Sequence, residues 1–143
     1  MIYERNLKIY FTAVRLNISR EKMKNKIQIL NYDEDAQEAD VLLLDGQFEL
    51  LCYAHPYTPD DSKALNKSLS AFMTENIMRA LENEYRIEKL QSGYYSYHLQ
   101  GKIIDLQRRL VMVGSIVIEL DNVIPKDIRE GEFIEFTVMR IDL

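Results

Sequence analysis

The stretch Val41-Leu42-Leu43-Leu44-Asp45-Gly46-Gln47-Phe48-Glu49-Leu50-Leu51-Cys52-Tyr53 constrains this chain more than any other. Asp-Gly between two apolar runs is the signature of a tight β-hairpin in which both turn residues take positive φ. A two-residue loop sets Leu44 opposite Gln47, Leu43 opposite Phe48, Leu42 opposite Glu49 and Val41 opposite Leu50. Val41, Leu43, Phe48, Leu50 and Cys52 then share a core face. The other face mixes Leu42 and Leu44 with Gln47 and Glu49, which predicts half exposure.

More strands are expected on both sides. Leu7, Ile9, Phe11 and Ala13 alternate, and Val14, Leu16 and Ile18 continue in the opposite phase, as a strand with a bulge near Ala13 would. Leu7, Phe11, Val14 and Ile18 also have helical spacing, so a helix competes there. Lys26–Tyr32 reads as a strand and the acidic run Asp33–Asp40 as a solvated loop. Toward the C-terminal side, Tyr94–Asp105 reads as a long strand bent at Gly101. Leu110–Leu120 is its partner, interrupted at Gly114, and Phe133–Leu143 closes the set.

Between these β regions the pattern changes. Thr58 as N-cap, Pro59 at the first helical position and Asp60 and Asp61 near the positive end of the dipole look like a helix start. Leu65, Leu69, Met73, Ile77, Leu81 and Tyr85 recur every four residues, and Lys89 and Gly93 supply a stop. The predicted fold is therefore α+β: a curved or barrel-like antiparallel sheet of six or seven strands, with a long helical segment inserted at about 59–91. Its length of 143 residues fits a single domain over 1–143. Ile124–Phe136, with Gly131 reversing the chain, resembles the turn-into-strand segment of small β-barrels, OB-like and SH3-like ones among them. That resemblance spans about a dozen residues and implies an architecture, not a family.

Charge is unevenly spread. The net charge of −5 combines seven basic and two acidic residues within 1–30 with nine acidic and no basic residues within 31–61. Such blocks side by side in a sheet neutralise one another, whereas a free basic block would attract phosphate. No apolar run reaches the roughly 20 residues that span a bilayer, so no membrane association is expected. The charged start and the lone Cys52 point to the cytoplasm.

No reactive motif stands out. Cys52 and His55 lie three apart, which places them on opposite faces of a strand, and one cysteine with two histidines falls short of a zinc site. Five dispersed glycines build no phosphate loop. No cofactor is expected, and no enzyme. The aromatic cluster Tyr94-Tyr95-Ser96-Tyr97-His98 stands out, because a strand must turn some of these rings outward. The candidate binding surface therefore comprises Tyr94, Tyr95, Tyr97 and His98, with Arg15, Arg20, Lys22, Lys24 and Lys26 from the basic block. These rings suit covering the helix at 59–91 first and a protein interface, where tyrosine is enriched, second; the expected function is a non-enzymatic cytoplasmic interaction module with a protein partner or a second copy. The alternative is an OB-like binder of single-stranded nucleic acid, stacking bases on the tyrosines.

Overall fold

The computed structural model describes residues 26–57 and 68–143, and every described regular element is a strand. In chain order these are β1 (Lys26–Asp33), β2 (Glu38–Leu44), β3 (Glu49–Ala54), β4 (Leu69–Phe72), β5 (Glu75–Arg79) and β6 (Arg86–Lys89). They continue with β7 (Tyr97–Asp105), β8 (Leu110–Val113), β9 (Ile116–Glu119), β10 (Phe133–Val138) and β11 (Arg140–Asp142). All eleven belong to one mixed sheet, in the order β1-β2-β3-β11-β4-β9-β8-β7-β10-β5, with β6 beside β7. Two pairings, β3 with β11 and β4 with β9, are parallel. The sheet is mixed, has eleven strands and is not closed, so the expected curved or barrel-like antiparallel sheet of six or seven strands and the α+β class both give way, among the described residues, to an all-β architecture.

The helix expected at 59–91 is replaced from residue 69 onward by β4, β5, β6 and their turns. A strict four-residue repeat is also an even number, so it fits one face of a strand as well as one face of a helix. Within β4, Leu69 and Ala71 are buried while Ser70 and Phe72 are exposed, which is the alternation of a half-buried strand. Met73 and Asn76 take φ of 55° and 56°, outside any right-handed helix. Leu81 is 98% exposed, so the apolar stripe has no common surface to bury. The expected helix start, Thr58–Asp61, and the segment 7–18 lie outside the described residues.

The hairpin forms with its register moved by two. Leu44 faces Glu49, Leu43 faces Leu50, Leu42 faces Leu51 and Val41 faces Cys52. The loop therefore has four residues, Asp45–Phe48, and only Gly46 takes positive φ. A shift of two preserves the faces, so Val41, Leu43, Leu50 and Cys52 are buried together as expected, while Phe48 sits in the loop. Leu42, Leu44 and Leu51 are buried as well, so the second face is core, not half-exposed. The strand at Lys26–Tyr32 is β1, one residue longer, whereas the supposed acidic loop ends early because Glu38–Asp40 already belong to β2.

Curling of the sheet makes that double burial possible. Tyr97 on β7 is separated from β3 by four strands in the sheet order, yet its phenol accepts the Leu51 backbone N–H at 2.8 Å. Asp45 makes a second link. It is buried, and its carboxylate accepts N–H bonds from Gln47 (2.9 Å) and Phe48 (2.6 Å) across its own turn. The same carboxylate accepts from the backbone N–H and the hydroxyl of Ser115, both at 3.1 Å, in the β8–β9 turn. Gly114 must be glycine there: its φ is +62°, and a Cβ would stand 2.6 Å from the Asp45 carboxylate and 2.8 Å from the Phe48 ring. Replacing Asp45 with Ala leaves four donors in two turns without their acceptor. It should destabilise the fold by about 2–4 kcal/mol. A denaturant midpoint unchanged in Asp45→Ala would show that the two turns hold without this carboxylate.

Candidate functional site

Strand register decides which side chains meet on the surface. Asp40 faces Asn31 on one side and Tyr53 on the other, and Tyr53 faces Asp142 across the parallel pair. Arg140 faces Phe72. Alternation adds Asp33, Glu38 and His55 to the same face. One edge-to-centre band across β1, β2, β3, β11 and β4 thus carries carboxylates, aromatic rings and one guanidinium.

The turn between β6 and β7 brings two more tyrosines over this band. Tyr94 and Tyr95 lie in that turn rather than on the long strand expected to begin at Tyr94. The turn is held from inside by Lys89, whose Nζ donates to the carbonyls of Leu90 (2.6 Å), Gly93 (2.6 Å) and Ser96 (3.1 Å). Burial pushes the Lys89 ammonium down. Held in this way, Tyr95 Oη donates to Asp40 Oδ1 at 2.5 Å and Tyr94 Oη to Asp40 Oδ2 at 3.4 Å. Tyr53 Oη donates to Glu38 Oε1 at 2.9 Å. Tyr95 meets Tyr53 and Tyr94 edge-to-face, with ring centroids 5.9 and 4.7 Å apart.

Between these groups lies a cleft of about 310 Å³, lined by the side chains of Asn31, Asp33, Glu38, Asp40, Tyr53 and Tyr95 among others. Among the described residues, three carboxylates line it and no basic residue does. At its flank the Arg140 guanidinium lies 4.7 Å from the ring centres of both Tyr53 and Phe72 and pairs with Asp142 at 2.5 and 3.1 Å. The hydrogen bond to Glu38 raises the Tyr53 phenol's pKa, and burial followed by the bond to Asp40 raises those of Tyr95 and Tyr94. The phenols therefore stay protonated donors.

The expected binding residues separate in space. Tyr94 is 61% exposed and Tyr95 half-buried, both at the cleft or its rim. Tyr97 points inward, buried, with its phenol on Leu51 and Lys89 Nζ 5.5 Å from its ring. His98 lies half-buried on β7 with Glu88 (3.8 Å) and Glu135 (3.5 Å) on either side. Lys26 is the exposed first residue of β1, and Arg15, Arg20, Lys22 and Lys24 lie outside the described residues. Sequence reasoning missed Glu38, Asp40 and Tyr53. The alternation Glu38-Ala39-Asp40-Val41, which continues the period of the hairpin strand, was the signal that could have placed them.

Elsewhere the chemistry is sparse. Cys52 is fully buried, its thiol donating to the Leu50 carbonyl at 3.5 Å, while His55 is exposed. Burial, reinforced by the nearby Asp142 charge, pushes the Cys52 thiol up. Among the described residues no three metal-ligating side chains converge, and no helix is long and apolar enough to cross a membrane. No protein-family model, curated protein or solved structure matches this chain.

Two measurements follow from these environments. Because folding raises the Tyr95 phenol's pKa, the folded state binds that proton more tightly than the unfolded chain. The stability it contributes is complete below the unfolded phenol value of about 10 and is lost as the pH climbs beyond it. Stability should therefore fall above about pH 10, and Tyr95→Phe should flatten that fall; an equal decline in the variant would detach the effect from Tyr95. Cys52, in turn, should react with a thiol reagent only as fast as the fold opens. Prompt labelling of the native protein would contradict its burial.

Proposed function

We propose that this chain is a non-enzymatic cytoplasmic binding module that holds a protein partner through a cationic side chain, lysine or arginine, seated in the Asp40–Tyr53–Tyr95 cleft. The observation that carries the reading is the composition of that cleft: three carboxylates and three tyrosines, with no basic residue in the lining among the described residues. Carboxylates concentrate a cation, and an aromatic face adds attraction of about 0.5–2 kcal/mol. Arg140 illustrates the chemistry within the chain, as a guanidinium held between the Tyr53 and Phe72 rings and neutralised by Asp142. The buried Cys52 fits a reducing compartment, where thiols persist.

The single-stranded nucleic-acid reading draws less support. Tyr97 is turned inward, Tyr95 is engaged with Asp40, and the carboxylates around them repel phosphate. Self-association is the version of the main reading in which a second copy supplies the cation.

Fluorescence anisotropy with a labelled lysine- and arginine-containing peptide tests the proposal. Binding should weaken with salt and fall about tenfold in Asp40→Asn, the equivalent of about 1.4 kcal/mol. A labelled single-stranded oligonucleotide should not bind. Unchanged peptide affinity in Asp40→Asn would remove the cleft from the interaction, and submicromolar, salt-sensitive oligonucleotide binding would replace the proposal with its rival. Sedimentation equilibrium of the unmixed chain separates a second copy from a foreign partner.

A further inference from the structure

A second concave site lies between the β7–β8 turn and the long β9–β10 connection. The two loops are tied by backbone: Leu120 N–H donates to the Arg109 carbonyl at 2.9 Å, and Gly131 N–H to the Ile103 carbonyl at 2.8 Å. Glu130 Oε1 adds a bond from Leu106 N–H at 2.8 Å. Between them is a cleft of about 370 Å³, within the size range of small-molecule sites. Ile124 and Ile128, both buried, contribute its apolar lining, and Leu106 and Val123 stand exposed at its rim, Val123 by 69%.

Among the described residues, two cations and no carboxylate accompany that apolar surface: Arg109 and Lys126 line the cleft. Arg109 is held at φ 57°, a left-handed conformation that glycine or asparagine adopts at less cost. Its Nε is buried, without a hydrogen-bond acceptor, and its guanidinium makes no ion pair among the described residues. The acidic side chains nearby are engaged elsewhere. Asp105 accepts from Arg108 N–H, Glu130 accepts from Leu106 N–H, and Asp127 pairs with Arg79. Strained backbone concentrates where function requires it.

We infer that this cleft is a binding site for a small aliphatic carboxylate, with the carboxylate on Arg109 and Lys126 and the chain along Ile124, Ile128, Leu106 and Val123. The planar guanidinium matches a carboxylate in a two-point fork, and the apolar lining selects for a hydrocarbon body. The site uses different loops from the Asp40–Tyr53–Tyr95 cleft and does not rest on the function proposed for it.

Titration of the full chain with sodium octanoate, followed by ¹⁵N–¹H correlation spectra, tests the assignment. Saturable shifts should cluster in residues 105–110 and 120–130, with a dissociation constant of about 1 mM or below, within reach of a ligand of about ten heavy atoms. Butanoate and octan-1-ol should each bind at least about tenfold more weakly, the first lacking apolar contact and the second charge. Inorganic phosphate should not compete. Arg109→Asn should lose about tenfold in octanoate affinity while its denaturant midpoint stays level or rises, because asparagine tolerates the left-handed backbone. Val123→Asp, a change at an exposed rim position, should abolish binding with the fold intact and decides the matter should Arg109→Asn fail to fold. Octanoate and butanoate binding equally, phosphate competing, or affinity surviving Val123→Asp would each overturn the assignment.

Discussion

The backbone of an irregular segment must find hydrogen bonds wherever it is drawn into the body of the protein, and in this fold side chains from elsewhere supply them. Asp45 serves its own turn and that of Ser115. Asp121 accepts from Met73 and Thr74 N–H, both at 2.8 Å, and so fixes the β4–β5 turn. Gln100, buried on β7, donates through Nε2 to the carbonyls of Glu82 (3.0 Å) and Glu84 (2.9 Å), fixing the β5–β6 loop. Lys89 does the same for the β6–β7 turn, and the Tyr97 phenol completes an N–H of β3 that no strand reaches. Short strands joined by such turns could slip or splay without these anchors; with them, eleven strands hold one curled arrangement.

The candidate cleft depends on this scheme. Its acids and Tyr53 come from regular strands, whose register sets them side by side, but Tyr94 and Tyr95 reach it only because Lys89 shapes their turn. Gly93 allows the tight approach of Ser96 within that turn, where a side chain would collide with the Ser96 hydroxyl. The acidic block 31–61 contributes Asp33, Glu38 and Asp40 to the cleft. Phenols donate to two of them, Tyr53 to Glu38 and Tyr94 and Tyr95 to Asp40.

Local pattern made the hairpin at Val41–Tyr53 legible, because period-two burial and Asp-Gly both act over a few residues. It gave the wrong loop length, two residues for four, since Asp-Gly also suits a four-residue turn in which only Gly46 needs positive φ. The helix at 59–91 failed for a reason of arithmetic: a four-residue repeat contains the two-residue one. Positive φ at Met73 and Asn76, and the complete exposure of Leu81, are tertiary facts that no spacing reveals. The tyrosine cluster stood out in the sequence, but a turn at Tyr94–Tyr95 changed which ring faces where, sending Tyr97 to the core. Long-range polar anchors such as Gln100 and Asp121 were invisible, because an exposed glutamine or aspartate looks the same in sequence.

The position of β11 carries a consequence for how the molecule is made. It follows every other described strand in the chain, yet it sits between β3 and β4, joining them by a parallel pair on one side and an antiparallel pair on the other. During synthesis from the N-terminal side, hairpins such as β2–β3 and β8–β9 can form as soon as they emerge, because their contacts are local. Their union across β11 must wait for Arg140–Asp142, and until then β3 and β4 each present an unpaired edge. Three residues that follow both parts in the chain thus act as the keystone that joins them in the sheet.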